Sequence, residues 1–108
     1  MKIAITSQNA KSVTAHAGRC RKFWLYELPD DSTHIDKQFI ELDIDETLHT
    51  MQSHLPAKLA DIDVLITANL GDSLRHKLAK AGVVTHLVAD ITPDIAVLNY
   101  LAGKKQPN

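Results

Sequence analysis

Apolar positions along this chain follow two different periods, one typical of strands and one typical of helices. Short apolar runs bounded by polar residues predict five strands, which cover residues 3–5, 22–28, 34–43, 64–66 and 83–88. Apolar residues three and four positions apart predict helices over residues 45–55, 72–81 and 93–102. The predicted order is therefore β-β-β-α-β-α-β-α.

The helix boundaries follow from capping and breaking residues. Asp45 is a candidate cap for the first helix, and Pro56 either ends it or begins a short helix through Leu59. Gly82 is expected to end the second helix, and Gly103 the last. The residues expected to face inward are Leu48, Met51 and Leu55, then Leu74, Leu78 and Ala81, then Ile95, Leu98 and Leu101 or Ala102.

The order of elements predicts how the strands pair. Three leading strands joined by short turns favour antiparallel pairing, and the later helix–strand units favour parallel additions. The apolar phase of the third strand switches near Ile40, which predicts a bulge there. We therefore expect an α/β fold with a mixed five-stranded sheet flanked by helices. The 108 residues suit one domain, which we place at residues 1–103, with 104–108 as a C-terminal tail.

Composition excludes several classes of function. The net charge of −1 gives no general attraction to nucleic acid or to an anionic membrane. The single cysteine cannot form an internal disulfide. The chain has neither a signal-peptide core nor an apolar run of the roughly 20 residues that a membrane helix needs. We expect a cytoplasmic protein.

The near-neutral total conceals an uneven distribution of charge. Residues 1–22 contain five cationic side chains and no acid, whereas ten of the 13 acids lie between Glu27 and Asp63. A basic segment in a neutral protein predicts a local site for an anion.

The segment 6–22 carries the candidate chemistry. His16 and Cys20 are soft donors suited to iron, zinc or copper. Nearby cations are expected to lower the pKa of the thiol and to pair with an anionic ligand. Two protein ligands are too few for a closed zinc site or an ordinary iron–sulfur cluster. They suit a pre-assembled cluster, or a site shared by two subunits. The candidate binding residues of this segment are Asn9, Lys11, His16, Gly18, Arg19, Cys20 and Arg21.

Plainer interpretations exist for each of these residues. A lone histidine in a loop is usually a solvated side chain, and a lone cysteine is usually a small buried hydrophobe. Gly71 opens the second helix, where free N–H groups can hold an anion, although a simple capped turn is the favoured explanation. His49 and His54 are five residues apart and so fall on different helix faces. The acids around Asp43 are explained by helix capping.

The run from Ile5 to Asn9 and the run from His16 to Phe23 resemble the dinitrogenase iron–molybdenum cofactor biosynthesis family. That family groups the NifX-like proteins, the C-terminal domain of NifB and the carrier NafY. The resemblance covers nearly the whole chain and implies a ribonuclease H-like topology with sheet order 3-2-1-4-5. It also implies that His16 lies near an iron–molybdenum–sulfur cluster or a related metal–sulfur cluster. The family's His-Phe-Gly motif reads His16-Ala17-Gly18 here, so the aromatic residue is missing.

These observations predict a binding or carrier protein for an anionic metal–sulfur cluster or its precursor, and not an enzyme. Its partners would be cofactor-assembly or acceptor proteins, with the chain as a monomer or a homodimer. The alternative is a regulatory or scaffold domain that binds a partner protein and no metal. A hydrolase that uses the acids around Asp43 is a third hypothesis, and the first strand lacks the acid that such enzymes place there.

Overall fold

The computed structural model describes residues 1–28, 35–48, 55–89 and 91–105. Its sheet has five strands, which are β1 (Lys2–Thr6), β2 (Lys22–Glu27), β3 (Asp36–Glu41), β4 (Val64–Thr67) and β5 (Val84–Leu87). The α-helices of the described ranges are α1 (Asp72–Lys80) and α2 (Pro93–Lys105), and single turns of 3-10 helix occur at Ile44–Glu46 and Ala57–Leu59. The sheet order is β3-β2-β1-β4-β5, which confirms the α/β class and the order 3-2-1-4-5.

The sheet changes from antiparallel to parallel pairing at its central strand, β1. β1 pairs antiparallel with β2, which opposes Ile5 to Trp24, and parallel with β4, which opposes Ile5 to Ile66. The outer pairs keep these directions, so the sheet is mixed as predicted. Because β1 and β4 are parallel, their carboxyl ends reach the same edge, and the loops that follow them leave the sheet side by side.

Alternation along the strands divides the core into two layers. On the face covered by α1, the fully buried residues include Ala4, Phe23 and Leu65, packed in one cluster with Leu78 of the helix. The other face is covered by α2, and its cluster is formed by Ile3, Ile5, Val13, Tyr26, Val64, Ile66, Ala96 and Val97. Burying a valine, leucine, isoleucine or phenylalanine side chain stabilises a fold by about 1.5–3 kcal/mol. Two packed layers therefore hold β1 and β4 in place from both sides.

The predicted helix over residues 45–55 is wrong at its start. The turn Ile44–Glu46 is a 3-10 helix that stops at once, because Thr47 has extended backbone (φ −65°, ψ 156°). Asp43 precedes this turn, and its N–H donates to the Glu46 carboxylate at 3.0 Å. The acids near Asp43 thus act locally in capping. Met51, His49 and His54 lie outside the described residues.

The third strand shows no bulge over Asp36–Glu41. It pairs residue for residue with β2, from Lys22↔Glu41 to Glu27↔Asp36. The phase switch instead reflects two apolar surfaces. Ile40 is buried on the α1 face, whereas the Phe39 ring packs against Trp24 on the other face, with ring centroids 4.8 Å apart.

The two helices differ in how well the pattern predicted them. Gly82 follows α1 with φ +81°, which confirms the predicted stop, although Ala81 is exposed and not inward. In α2 the inward residues are Ala96 and Val97, and the prediction for Ile95 and Leu98 is wrong, since they are 48% and 58% exposed. The helix also runs past Gly103 to Lys105. The apolar residues of α2 are distributed around most of its circumference, so their spacing did not identify the buried face.

Among the helices of the described ranges, none is long and apolar enough to cross a membrane.

Candidate functional site

A cavity of about 570 Å³ lies at the edge where β1 and β4 end. Its volume is within the usual range of small-ligand sites, roughly 300–1,000 Å³. The loop after β1 supplies one part of the wall, and the start of α1 supplies another. The described residues that line the cavity are His16, Ala17, Gly18, Arg19, Leu48, Asn69, Gly71, Ser73, Leu74 and Lys77.

Buried hydroxyl groups fix the loop after β1 to the ends of both strands. The Thr14 carbonyl accepts from the Thr6 hydroxyl at 2.6 Å and from the Ala68 N–H at 3.1 Å. The Thr67 hydroxyl lies 3.2 Å from the same carbonyl and 2.9 Å from the Thr6 hydroxyl. Thr6 and Thr67 are fully buried, where an unmade hydrogen bond is costly. The loop therefore leaves the sheet along a defined path towards the cavity.

The first half of this loop is a self-contained turn. The Asn9 carboxamide oxygen accepts from the backbone N–H groups of Lys11 at 2.9 Å and Ser12 at 3.0 Å. The Ser7 hydroxyl donates to the Ser12 carbonyl at 2.7 Å. Asn9 and Lys11 do not line the cavity. Their assignment as binding residues remains a prediction, and what the structure gives Asn9 is a role in turn formation.

His16 occupies a strained backbone conformation beside the cavity. Its φ is +61°, in the left-handed region that non-glycine residues adopt at a cost of about 1–2 kcal/mol. The His16 carbonyl accepts the N–H groups of Arg19 at 3.0 Å and Cys20 at 3.1 Å, which closes a turn. Its imidazole is exposed, and the following Ala17 is only 1% exposed within the core. The loop thus holds Ala17 in the core and places His16 and Gly18 at the cavity wall. Strained residues of this kind are common at ligand sites.

The two arginines of the segment have different surroundings. Arg19 is exposed and lines the cavity. Arg21 instead donates through Nε to the Leu42 carbonyl at 2.9 Å and lies 3.4 Å from the Glu41 carboxylate. Arg21 therefore joins β2 to the end of β3, outside the cavity lining. The sequence could not distinguish the two arginines, because it shows the charge of a side chain but not its orientation.

Cys20 lies in the core cluster of the α1 face and is 4% exposed. Its thiol donates to the Lys22 carbonyl at 3.0 Å. Burial raises the pKa of the Cys20 thiol, and its hydrogen bonds lower this pKa by less. The expectation that neighbouring cations lower the pKa of Cys20 is therefore wrong. Cys20 is not among the cavity-lining residues, and its assignment as a metal ligand stays a prediction. Across the described residues, no group of three or more His, Cys, Asp and Glu side chains is placed to hold a metal ion.

Gly71 and the start of α1 form the second part of the wall. Gly71 has extended backbone (φ −73°, ψ 156°) and precedes the helix, whose first residue is Asp72. The first turn of a helix carries partial positive charge on its free N–H groups. Gly71 has no side chain to bond these groups, and Asp72 places a carboxylate in the same first turn, outside the cavity lining.

Sequence reasoning did not single out Asn69, Ser73 or Lys77 as site residues, yet all three line the cavity. Asn69 follows the end of β4, and Lys77 lies one helical turn beyond Ser73. The Lys77 ammonium donates to the Leu48 carbonyl at 3.0 Å. Loss of surrounding water lowers the pKa of Lys77. Its spacing of four from Ser73 places both side chains on one face of α1, which is the signal that the sequence offers for Lys77.

One family profile matches almost the whole chain. The profile of the family described as dinitrogenase iron-molybdenum cofactor matches residues 1–103. A search of curated proteins found no significant match.

Three solved structures share the fold over nearly their whole length. The crystal structure of PH0822 aligns with a TM-score of 0.73 at 16% identity, covering 100% of this chain and 96% of that one. The apo form of the orange protein from Desulfovibrio gigas aligns with a TM-score of 0.69 at 20% identity, covering 99% and 95%. The NMR structure of Thermotoga TM1290, a candidate NifB protein assigned to the DUF35 family, aligns with a TM-score of 0.66 at 19% identity, covering 95% and 89%. With the profile match over residues 1–103, the chain belongs to the dinitrogenase iron-molybdenum cofactor family.

Proposed function

We propose that this protein binds an anionic iron–molybdenum–sulfur cluster, or a related metal–sulfur precursor, in the cavity at the ends of β1 and β4, and delivers it to another protein. Membership of the family supports a role in biosynthesis or carriage of the iron–molybdenum cofactor. The observation that carries the proposal is the chemistry of the cavity wall. His16, Arg19 and Lys77 line it, and its described residues include no carboxylate.

The donor set fits a ligand that arrives already assembled. His16 is the one soft donor among the described lining residues, and a single imidazole cannot complete the coordination of a metal ion. A cluster that brings its own sulfides needs few protein ligands. Arg19 and Lys77 would then bind it through charge-assisted hydrogen bonds, each worth about 1.5–3 kcal/mol. The core position of Cys20 leaves His16 as the residue we assign to direct contact.

A binding site of this kind favours transfer. One direct ligand plus charge contacts allows the cluster to leave without breaking several metal–protein bonds. We therefore propose a carrier and not an enzyme, with cofactor-assembly or acceptor proteins as its partners. A homodimer in which two copies face one cluster is a further form of the same proposal, since each copy would supply one imidazole.

The test is to let iron, sulfide and molybdate form metal–sulfur species in anaerobic solution and then to add the protein. Gel filtration follows, with measurement of metal and sulfide per chain. We expect wild type to retain metal and sulfide together, and His16→Ala to retain much less. Losing one direct ligand should lower affinity by about tenfold or more. His76→Ala is the matched control, because His76 is an exposed histidine of α1 outside the cavity lining. Equal loading of wild type and His16→Ala would contradict the assignment of His16, and no loading of wild type would contradict the function.

A further inference from the structure

The wall formed by α1 contains a cation whose surroundings point to the charge of the ligand. Lys77 lines the cavity one turn beyond Ser73, while Arg19 lies on the separate loop after β1. The Lys77 ammonium has three N–H donors, and the Leu48 carbonyl accepts from one at 3.0 Å. That bond fixes the ammonium at the cavity wall and leaves donors for a ligand.

Lys77 differs from most of the other cations whose contacts are described. Lys58 also donates to a backbone carbonyl, that of Glu41 at 2.8 Å, but it is exposed and does not line the cavity. Lys2, Arg21 and Lys37 each lie within 4 Å of a carboxylate. For Lys77 the contact within the described ranges is a neutral carbonyl. Lys77 is half-buried at the cavity wall, and this partial loss of water lowers its pKa. A partly desolvated cation without a counter-charge is unfavourable, so an anion that enters the cavity gains more here than at an exposed lysine.

We propose that Lys77 is the residue that makes this cavity select ligands with at least two negative charges over monoanions of the same size. The inference rests on the proposed function and narrows its ligand class. A monoanion beside Arg19 would leave the ammonium of Lys77 uncompensated. A ligand with at least two negative charges can face the β1 loop and the α1 wall together, so each cation gains a partner.

The experiment uses two tetrahedral anions of closely similar size that differ by one unit of charge, tetrathiomolybdate (−2) and tetrathiorhenate (−1). Their binding to the full-length protein is measured by anaerobic equilibrium dialysis at low salt. We expect wild type to prefer the dianion by about tenfold or more, the value of one charge-assisted hydrogen bond. Lys77→Met should lose most of this preference, mainly through weaker binding of the dianion.

Two further variants separate charge from structure. Lys77→Arg keeps the cation and should keep the preference, whereas Lys80→Met removes an exposed cation of the same helix outside the cavity and should change nothing. A merely structural role in bonding Leu48 would weaken both anions equally in Lys77→Met, which would overturn the inference. Unchanged binding in that variant would overturn it too, while leaving the proposed function intact. Failure of wild type to bind either anion would overturn both.

Discussion

The left-handed backbone conformation that places His16 at the cavity is predicted to lower the stability of the folded protein. Its φ of +61° costs a non-glycine residue about 1–2 kcal/mol relative to ordinary backbone. Its imidazole is exposed, so little packing is lost when it is removed. His16→Gly and His16→Ala both delete the imidazole, but only the glycine variant also relieves the backbone. The difference between these two variants therefore isolates the strain.

The magnitude follows from two opposing contributions. Glycine recovers about 1–2 kcal/mol of left-handed strain, and it loses about 0.5–1 kcal/mol because its unfolded chain is more flexible than that of alanine. We expect His16→Gly to be more stable than His16→Ala by up to about 1.5 kcal/mol, with a central value of about 0.8 kcal/mol. For a chain of this size, 1 kcal/mol corresponds to about 4–8 °C in Tm.

Urea denaturation and thermal melts of the apo-protein measure this difference, and the reconstitution assay measures binding. Ala10→Gly is the matched control, because Ala10 has φ +63° on the same loop and does not line the cavity. It should gain similar stability without any change in metal loading, whereas His16→Gly should gain stability and lose loading. If His16→Gly proves less stable than His16→Ala, the assignment of strain to this residue is refuted.

Three other predictions follow from the environments of single side chains. Arg19→Glu should weaken binding of the anionic ligand, more at low salt than at high salt. Arg21→Ala should leave this affinity unchanged and cost about 1–2 kcal/mol of stability, through loss of its exposed pair with Glu41 and its hydrogen bond to the Leu42 carbonyl. Equal affinity losses in equilibrium dialysis would contradict the distinction. Cys20 should react slowly with iodoacetamide in the folded protein, and fast alkylation near pH 7 would contradict its buried position. Because the pKa of Cys20 is raised in the folded state, its contribution to stability is complete below the unfolded pKa of about 8.5. This contribution is lost as pH rises through the folded pKa. Asp94 accepts from the Tyr26 phenol and from a lysine ammonium, bonds that lower its pKa. Asp94→Asn should therefore destabilise by no more than about 1 kcal/mol at pH 7, and less as pH falls through the folded pKa; a difference that persists at the lowest pH would contradict this account.

The strands of the fold were predictable because their apolar runs are short and clearly bounded. The runs at residues 3–5 and 64–66 are buried on both faces of the sheet, and they lie inside β1 and β4. The helices were less predictable. In α2 the apolar residues are too numerous to mark one face, so Ala96 was overlooked and Leu98 was placed inward.

The site was partly predictable, for an equally physical reason. Charge counting identified the basic loop, and His16 was singled out as a soft donor and by the family resemblance. Neither could separate Arg19 from Arg21, because the direction of each side chain depends on the Glu41 pairing and on the turn closed by the His16 carbonyl. Lys77 was missed because it is distant in sequence and reaches the cavity only through the packing of α1 beside β4.

Locating the molybdenum directly tests the central claim, that an anionic metal–sulfur ligand occupies the cavity at the ends of β1 and β4. Crystals of anaerobically loaded protein would be measured at the molybdenum absorption edge, so that anomalous scattering gives the metal position. We predict a molybdenum peak inside the cavity, close enough to His16 and Arg19 for atoms of the cluster to contact both side chains. Molybdenum bound elsewhere, with the cavity filled by solvent, would contradict the account.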